Sequence, residues 1–228
     1  MPRPKVPLLS RERITTAAIK VIDEHGLSAL SLPTLAAELN VSAPSLYHHF
    51  HDKAEILREV ARAIAVSAPA PRISEYGGDW IEWMVDLSNS FRKTVLKHRN
   101  AAPIFVEFLP RELLIGTYDR SATIMERAGV PAGLHVLILD GCDKLSLGSI
   151  LMEATEGPPN RAHTYSGFNA ETHARLARAV EVYAASADEL FKQSIRAYIR
   201  GVMLMADEQE TGPKPPRKPR ARRTKVLA

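Results

Sequence analysis

The sequence predicts an all-α protein, and three observations lead to that fold class. Apolar residues recur every three or four positions through most of the 228 residues, which is the period of an amphipathic helix. Residues 30–53 hold two short helical patterns joined by a tight turn and then the start of another helix. Between residues 69 and 210, no segment alternates apolar and polar residues strongly enough to compete as a strand.

The first helices are delimited by residues that favour helix ends. Ser10 is a good N-cap for the first helix, and Gly26 suits its C-terminus. Ser31 caps the second helix, and Asn40 ends it because asparagine tolerates the left-handed conformation. These positions predict two helices joined by a short connection, the first half of a helix-turn-helix motif.

The third helix is expected to start after Ser42, with Pro44 in its first turn, where a missing N–H costs nothing. Leu46 and Phe50, four residues apart, are predicted to anchor this helix inward. The outward positions then carry small and planar polar residues, which suit a helix inserted into a major groove: Ala43, Ser45, Tyr47, His48 and His49. DNA is therefore the first partner to consider, and an ordinary helical hairpin is the alternative.

Through residues 10–64 the pattern resembles the DNA-binding domain of the TetR family of transcriptional regulators. The most specific segment is residues 46–53, Leu-Tyr-His-His-Phe-His-Asp-Lys, which is similar to the family signature Leu-Tyr-x-His/Tyr-Phe-x-x-Lys. Asp52 and Glu55 form a capping-box-like start to a fourth helix. We interpret Tyr47 and Lys53 as phosphate contacts, since one offers a hydroxyl donor and the other a charge at a helix N-terminus. The alternatives are a packed aromatic ring and a solvated charge.

Base recognition is constrained by Pro33, which stands where the family often has a polar contact in the first turn of the second helix. Proline cannot donate a hydrogen bond. Specificity is therefore expected from other side chains of the motif, including apolar contact of an alanine with a thymine methyl: Thr34, Ser42, Ala43, Ser45 and His48.

Basic residues are concentrated at the two ends of the chain. A basic N-terminal arm, residues 1–9, contains Arg3 and Lys5, and Arg11 follows it closely. We expect this arm to reach the adjacent minor groove. Residues 212–228 hold seven Lys and Arg and no acid, whereas the other 211 residues carry 23 basic and 26 acidic side chains. The tail, residues 211–228, is predicted to be disordered. It would add nonspecific affinity for DNA or serve as a tolerated appendage.

A break marked by Pro69, Pro71, Gly77 and Gly78 separates a DNA-binding domain, residues 10–68, from a second helical domain, residues 69–210. Helices are expected in the second domain near 78–98, 102–109, 111–128, 131–156, 171–185 and 187–206.

The second domain resembles, more weakly, the ligand-binding and dimerisation domain of the tetracycline-repressor type, through residues 90–102 and 147–151. The resemblance implies that helices near 131–156 and 187–206 pair with their copies as a four-helix bundle in a homodimer. The residues offered to that interface are Val136, Leu137, Leu139, Leu151, Leu190, Ile195, Ile199 and Met203, with Gly141 and Gly148 permitting close approach. The alternative is that they form the core of one protomer.

The expected ligand pocket departs from the tetracycline-repressor pattern. Phe91 matches the pocket phenylalanine of that family, but Leu87, Phe105, Phe108 and Leu109 stand where polar and metal-binding residues would hold a magnesium-chelated tetracycline. We therefore predict a largely apolar pocket for a hydrophobic or aromatic small molecule. Its predicted lining is Trp83, Leu87, Phe91, Phe105, Phe108, Leu109, Met125, Cys142, Leu145 and Met152. Plain core packing is the alternative for each of them.

Several function classes lack a sequence signal. We find no glycine-rich phosphate loop and no Ser-His-Asp order, so no enzymatic activity and no cofactor are predicted. The histidines at positions 48, 49 and 51 lack the cysteine or carboxylate partners of a metal site. A single cysteine, Cys142, no signal peptide and no apolar stretch of about 18 residues predict a cytoplasmic protein without a membrane span.

The sequence thus predicts a homodimeric regulator, a repressor that binds a palindromic operator and is released by a small molecule. One alternative is a helical small-molecule-binding protein or enzyme whose DNA-binding unit is vestigial. Another is nonspecific packaging of nucleic acid by the basic tail.

Overall fold

A computed structural model describes residues 9–156, 169–183 and 185–211, with only the backbone described for Glu156 and for residues 206–211. Arg3, Lys5 and residues 212–228, the predicted basic arm and tail, lie outside the described residues. Within the described ranges the chain is helical and contains no strand, which confirms the predicted fold class. The α-helices are α1 (Arg11–His25), α2 (Leu32–Leu39), α3 (Ala43–Tyr47), α4 (Lys53–Val66), α5 (Trp80–Leu96), α6 (Ile104–Glu107), α7 (Arg111–Arg127), α8 (Ala132–Glu156), α9 (Ala174–Val182) and α10 (Ala187–Thr211).

The ends of α1, α2 and α4 follow from the local sequence, as predicted. The Ser10 side chain accepts a hydrogen bond from the backbone N–H of Arg13, and Ser31 accepts one from Thr34. Asn40 adopts the left-handed conformation with φ 53° and ψ 47°. The Asp52 side chain accepts a hydrogen bond from the backbone N–H of Glu55, the third residue of α4. Each of these side chains satisfies a helix-terminal group that would otherwise be unpaired.

Helix α3 differs from its prediction in two details. It has only five residues, and the Ser42 side chain makes no capping bond to it. The Ser42 hydroxyl lies instead 2.8 Å from the Ser45 hydroxyl. Phe50 follows the helix rather than belonging to it, although Leu46 and Phe50 are both buried as expected.

The second half is built around α5, α8 and α10, which pack against one another, with α7 against α5 and α8. Helices α5, α7 and α8 begin and end within two residues of the predicted limits, whereas α6 and α9 are shorter than predicted and α10 extends to Thr211. Trp83, Ile138, Phe191 and Ile195 lie in the core of this bundle.

A second core fills the interior of α1–α4 and crosses the predicted domain boundary at residue 69. Val95 of α5, Phe105 of α6 and Ile150 of α8 belong to the same cluster as the buried residues of α1–α4. Helices α1–α4 are therefore packed directly on the ends of α5, α6 and α8, and a displacement of those ends would act on them.

The residues predicted for a dimer interface divide between core and surface. Ile195 and Ile199 are fully buried within one protomer, so their assignment to an interface is wrong. Val136, Leu137 and Leu190 are exposed to 75%, 47% and 45%. Periodicity could not separate the two sets, because α8 and α10 are apolar on both their inner and outer sides.

Candidate DNA-binding surface and ligand cavity

The predicted phosphate contacts lie on the surface near the junction of α3 and α4. Tyr47, the last residue of α3, is 55% exposed, although a large aromatic ring would normally be buried. Lys53 is the exposed first residue of α4. His48 is also exposed, just after α3. This surface presents a hydroxyl donor, an imidazole and a cation beside a helix N-terminus, a set that suits a phosphate backbone.

The predicted base contacts are arranged unevenly. The Ser42 and Ser45 hydroxyls are paired with each other, as are those of Thr34 and Ser31 at 2.7 Å. Each hydroxyl pair still has capacity for a further hydrogen bond. Ala43 is half-buried and packs against the core.

Arg11 connects α1 to the turn between α3 and α4. Its guanidinium lies 2.8 Å from Glu55 Oε1 and 4.1 Å from the centre of the Phe50 ring, and it donates a hydrogen bond to the half-buried His49 at the backbone carbonyl. The Arg11 side chain is thus engaged in contacts within the protein and is not free for the minor-groove contact that the sequence predicted. These contacts fix the segment between Tyr47 and Lys53.

Glu55 completes this connection from the other side. Its carboxylate accepts the backbone N–H of His51 at 2.7 Å. That bond lowers the pKa of the Glu55 carboxyl, and the hydrogen bond from Arg11 lowers it further. Sequence reasoning recognised the capping box but missed Arg11 as the partner of Glu55, since 44 positions separate them.

A cavity of about 100 Å³ lies between the end of α4 and helices α5, α7 and α8. Four predicted ligand-binding residues, Leu87, Phe91, Leu109 and Cys142, line it. The rest of the lining was not predicted and includes residues from α4 and the loop after it: Ala65, Ala68, Pro69, Ala70, Met84, Ser88, Leu114, Thr117, Tyr118, Ser121, Leu139, Asp143, Ser146 and Leu147.

Three of the other predicted lining residues lie in the two cores. Trp83 and Met125 are buried in the core of the bundle, where the Trp83 indole N–H donates to the carbonyl of Pro71 at 2.9 Å. Phe105 lies behind the cavity wall, edge-on to Phe91 with ring centres 5.7 Å apart. These three residues are therefore core residues and do not line the cavity.

The remaining three predicted residues are directed elsewhere. Phe108 lies beside Arg58, whose guanidinium is 5.4 Å from the ring centre. Leu145 packs against the core of the bundle, and Met152 is 56% exposed. A helical pattern shows which residues are apolar but not which of several apolar faces meets a cavity.

The lining of the cavity is largely apolar but includes a polar cluster. The Tyr118 hydroxyl donates to Asp143 Oδ2 at 2.6 Å, and Arg111 Nη1 lies 3.9 Å from the same oxygen. Burial raises the pKa of the Asp143 carboxyl. Burial also raises the pKa of Tyr118, and the hydrogen bond from Tyr118 to the Asp143 carboxylate raises it further. Both residues occupy predicted helices in which a polar residue is usually solvated, so no local signal marked them.

Cys142 contributes an unreactive group to the cavity. Burial raises the pKa of its thiol to about 12. A thiol with such a pKa is protonated at neutral pH and is a poor nucleophile. Cys142 therefore serves as a small apolar wall residue.

Helix α4 joins the two sites. Lys53 begins it at the surface predicted to contact DNA, and Ala65 lines the cavity twelve residues later. At a rise of 1.5 Å per residue the two positions are about 18 Å apart along the helix. A rigid helix of this kind transmits a displacement of one end to the other.

A second connection runs from the bundle to α1. His98 Nδ1, just after α5, lies 2.8 Å from Asp23 Oδ2, and the Asn100 side chain donates to the Asp23 backbone carbonyl at 3.0 Å. The first turn after α5 is thereby attached to the end of α1. In the described part of the chain, no helix is long and apolar enough to cross a membrane.

Comparison with known proteins gives a consistent set of relatives. Residues 14–60 match the family model described as "Bacterial regulatory proteins, tetR family". The chain is 25% identical over 211 residues to the tetracycline repressor protein class E of Escherichia coli, which covers 90% of this chain and 96% of that protein.

Solved structures of Streptomyces coelicolor proteins share the fold. A possible TetR family transcriptional regulator superposes with a TM-score of 0.74 at 24% identity, covering 86% of this chain and all of that one. The TetR family protein ActR, in complex with actinorhodin, gives a TM-score of 0.70 at 22% identity over 87% of this chain and 99% of that one.

Proposed function

Because this chain belongs to the TetR family of bacterial regulatory proteins, we propose that it is a repressor that leaves its operator when a hydrophobic small molecule occupies the cavity. The observation that carries this proposal is the position of α4, which begins at the exposed Lys53 next to α3 and lines the cavity near its other end. A ligand that displaces the end of α4 would move α3 and Lys53 relative to DNA.

DNA binding is assigned to residues 10–68, and it requires two copies of the motif. One short helix such as α3 contacts only a few base pairs, whereas two copies one helical turn of DNA apart read a palindrome. Tyr47 and Lys53 would contact phosphates on each half-site, and the hydroxyls of Ser42 and Ser45 would read bases between them.

Dimerisation and ligand binding are assigned to residues 69–210. Helices α8 and α10 carry exposed apolar side chains that a partner copy would bury: Val136, Leu137, Leu190, Leu204 and Met205. A two-fold contact of α8 and α10 with their copies buries all of them in one four-helix bundle.

The ligand would act by conformational coupling rather than by a reaction. A coupling free energy of about 1–3 kcal/mol weakens operator binding roughly 5–150-fold for each ligand, so two ligands per dimer give a more complete release. We propose no enzymatic activity, and the Cys142 thiol in the cavity wall, whose pKa is raised by burial, is a poor nucleophile. The proposed site of action is the cytoplasm, where chromosomal DNA lies.

The test is a titration of the purified full-length protein against a genomic-fragment library, with Lys53→Ala and Tyr47→Phe alongside. We expect one palindromic site to be recovered. Lys53→Ala should weaken binding to that site and reduce the slope of log affinity against log salt by about 2 for the dimer, one for each lysine lost. Tyr47→Phe should weaken binding without changing the slope, because it removes a hydrogen bond and no charge.

Two controls make this test specific. Lys97→Ala removes another exposed lysine, at the end of α5, and should leave both affinity and slope unchanged. A protein that ends at residue 211 should keep the palindromic site. Uniform binding of all fragments that disappears with the tail would contradict the proposal and would favour a helical ligand-binding protein with a vestigial DNA-binding unit.

A further inference from the structure

We propose that the ligand of the cavity carries an amine or another N–H donor beside its apolar body, and that Asp143 binds this group. The inference rests on the proposed function, because it gives a chemical class to the small molecule that would enter the cavity. It narrows the expectation of a hydrophobic or aromatic small molecule to an aromatic or aliphatic amine.

The first step is the hydrogen bonding of Asp143. One of its oxygens, Oδ2, accepts the Tyr118 hydroxyl and lies 3.9 Å from Arg111. The other oxygen, Oδ1, has no hydrogen-bond partner among the described residues. A carboxylate can accept about four hydrogen bonds, so Asp143 keeps unused acceptor capacity in the wall of the cavity.

The second step is the hydroxyl groups near it. Tyr118 uses its only O–H on Asp143, and Ser121 uses its O–H on the backbone carbonyl of Thr117 at 2.8 Å. Both hydroxyl oxygens can still accept a bond but cannot donate another. Three neighbouring groups in the cavity wall are therefore acceptors, and they complement a ligand that donates.

The third step is charge. Arg111 is 61% exposed in its side chain and lies at ion-pair distance from one carboxylate oxygen only, so it neutralises Asp143 weakly. Asp140, one helical turn earlier on α8, is paired with Lys144 at 2.5 Å and does not line the cavity, so Asp143 is the carboxylate in the cavity wall. A ligand cation would stabilise the partly desolvated Asp143 carboxylate, whereas a ligand anion would be repelled by it.

The apolar part of the ligand is accommodated by the opposite wall. Leu87 and Phe91 of α5 and Ala65 of α4 face the cavity. A cavity of about 100 Å³ has the size of a single aromatic ring, since a comparable engineered cavity holds benzene. A ring with an amine on a short linker therefore matches both walls.

The experiment compares three probes with the same single-ring body: benzylamine, benzyl alcohol and benzoate. Each is titrated by isothermal calorimetry at pH 7 into the full-length protein and into Asp143→Asn, which keeps an acceptor for Tyr118 but removes the charge. Asp140→Asn is the matched control, because it removes a carboxylate on the same helix that does not line the cavity.

We expect the full-length protein to bind the amine about tenfold or more tightly than the alcohol, and the carboxylate most weakly. In Asp143→Asn the preference for the amine should fall to about threefold or less while affinity for the alcohol is kept. Asp140→Asn should keep the full preference. The comparison of probes on the unmodified protein stands even if Asp143→Asn does not fold.

Other outcomes overturn the inference and separate it from the proposed function. Equal binding of amine and alcohol, or a preference for the carboxylate, refutes the role of Asp143 but leaves a ligand cavity. No binding of any probe refutes this inference and the ligand-dependent part of the proposed function together. In both cases operator binding is measured separately, by the fragment titration.

Discussion

Helices α1–α4 and the bundle of α5, α8 and α10 are stabilised by contacts of very different sequence range. In the first region, Ser10, Ser31 and Asp52 each bond to a backbone N–H three residues further on. In the second, the buried Arg92 of α5 donates a bidentate pair of hydrogen bonds to the Glu153 carboxylate, 61 residues later, at 2.7 and 2.5 Å.

The ion pairs of the bundle extend this difference. Arg92 also lies 3.2 Å from Asp188, and Arg196 binds both oxygens of Glu82, 114 residues away. Helices α1–α4 are therefore specified mainly by local sequence, whereas the bundle beside the cavity depends on pairs of residues that only the fold brings together.

The largest expected effect is the loss of the buried ion pair. Arg92→Met leaves the Glu153 carboxylate buried without its partner and should lower the free energy of unfolding by about 3–5 kcal/mol. Lys20→Met, which breaks the exposed Lys20–Glu38 pair of α1 and α2, should cost about 1 kcal/mol or less. Urea unfolding of both variants measures the difference. Equal losses would break the comparison.

The next effect concerns the contact of α8 with α10. A Cβ atom added to Gly141 would lie 2.0 Å from the Tyr198 hydroxyl oxygen, whose donated bond to the Leu137 carbonyl is 2.6 Å. Gly141→Ala should therefore destabilise the protein by about 1–3 kcal/mol. Gly116→Ala in α7, where nothing lies within 4 Å, should stabilise it by about 0.5–1 kcal/mol. Thermal unfolding of the pair would show whether helix propensity or the long-range contact dominates.

A smaller effect tests the local contacts of the DNA-binding unit. Ser31→Ala removes a capping bond to α2 and should cost about 1 kcal/mol. Ser42→Ala removes a serine that also precedes a helix but makes no capping bond to it, and it should cost less than about 0.5 kcal/mol. If chemical denaturation gives the same loss for both, the structure's distinction between the two serines is wrong.

The smallest effect is a dependence of stability on pH. The hydrogen bond from Arg196 lowers the pKa of Glu82 below its ordinary value of 4.5. The folded state therefore gains stability from the ion pair above pH 4.5, and it loses this gain as the pH falls through the lowered folded-state pKa. The difference in Tm between the natural protein and Glu82→Gln should be constant from pH 6 to 8 and shrink below about pH 4. A difference that grows on acidification would contradict the assignment.

The candidate DNA-binding surface could be predicted because its signals are local. Ser31, Asn40 and Asp52 act within one helical turn, so their effects are visible in a window of a few residues. The exposed Tyr47 and Lys53 belong to one continuous motif. The contact of Arg11 with Glu55 was not predicted, because the sequence around a charged residue at the start of a helix does not show which distant residue it will pair with.

The cavity could be predicted only in part. Leu87, Phe91, Leu109 and Cys142 line it, but Trp83 and Met125 lie in the core and Met152 lies on the surface. All seven are apolar and all but Leu109 lie in helices, so the distinction between them depends on which neighbouring helix packs against each face. The polar lining, Tyr118 and Asp143, came only from the structure.

The helical class, the ends of α1, α2 and α4 and the helix-turn-helix motif are encoded locally, since all of these depend on interactions over a few residues. Which apolar residues form a core, a cavity or an outer face, and which charges meet, became visible in the folded protein. Burial and ion pairing depend on distance in space, and the residues concerned, such as Arg92 and Glu153, are far apart in the chain.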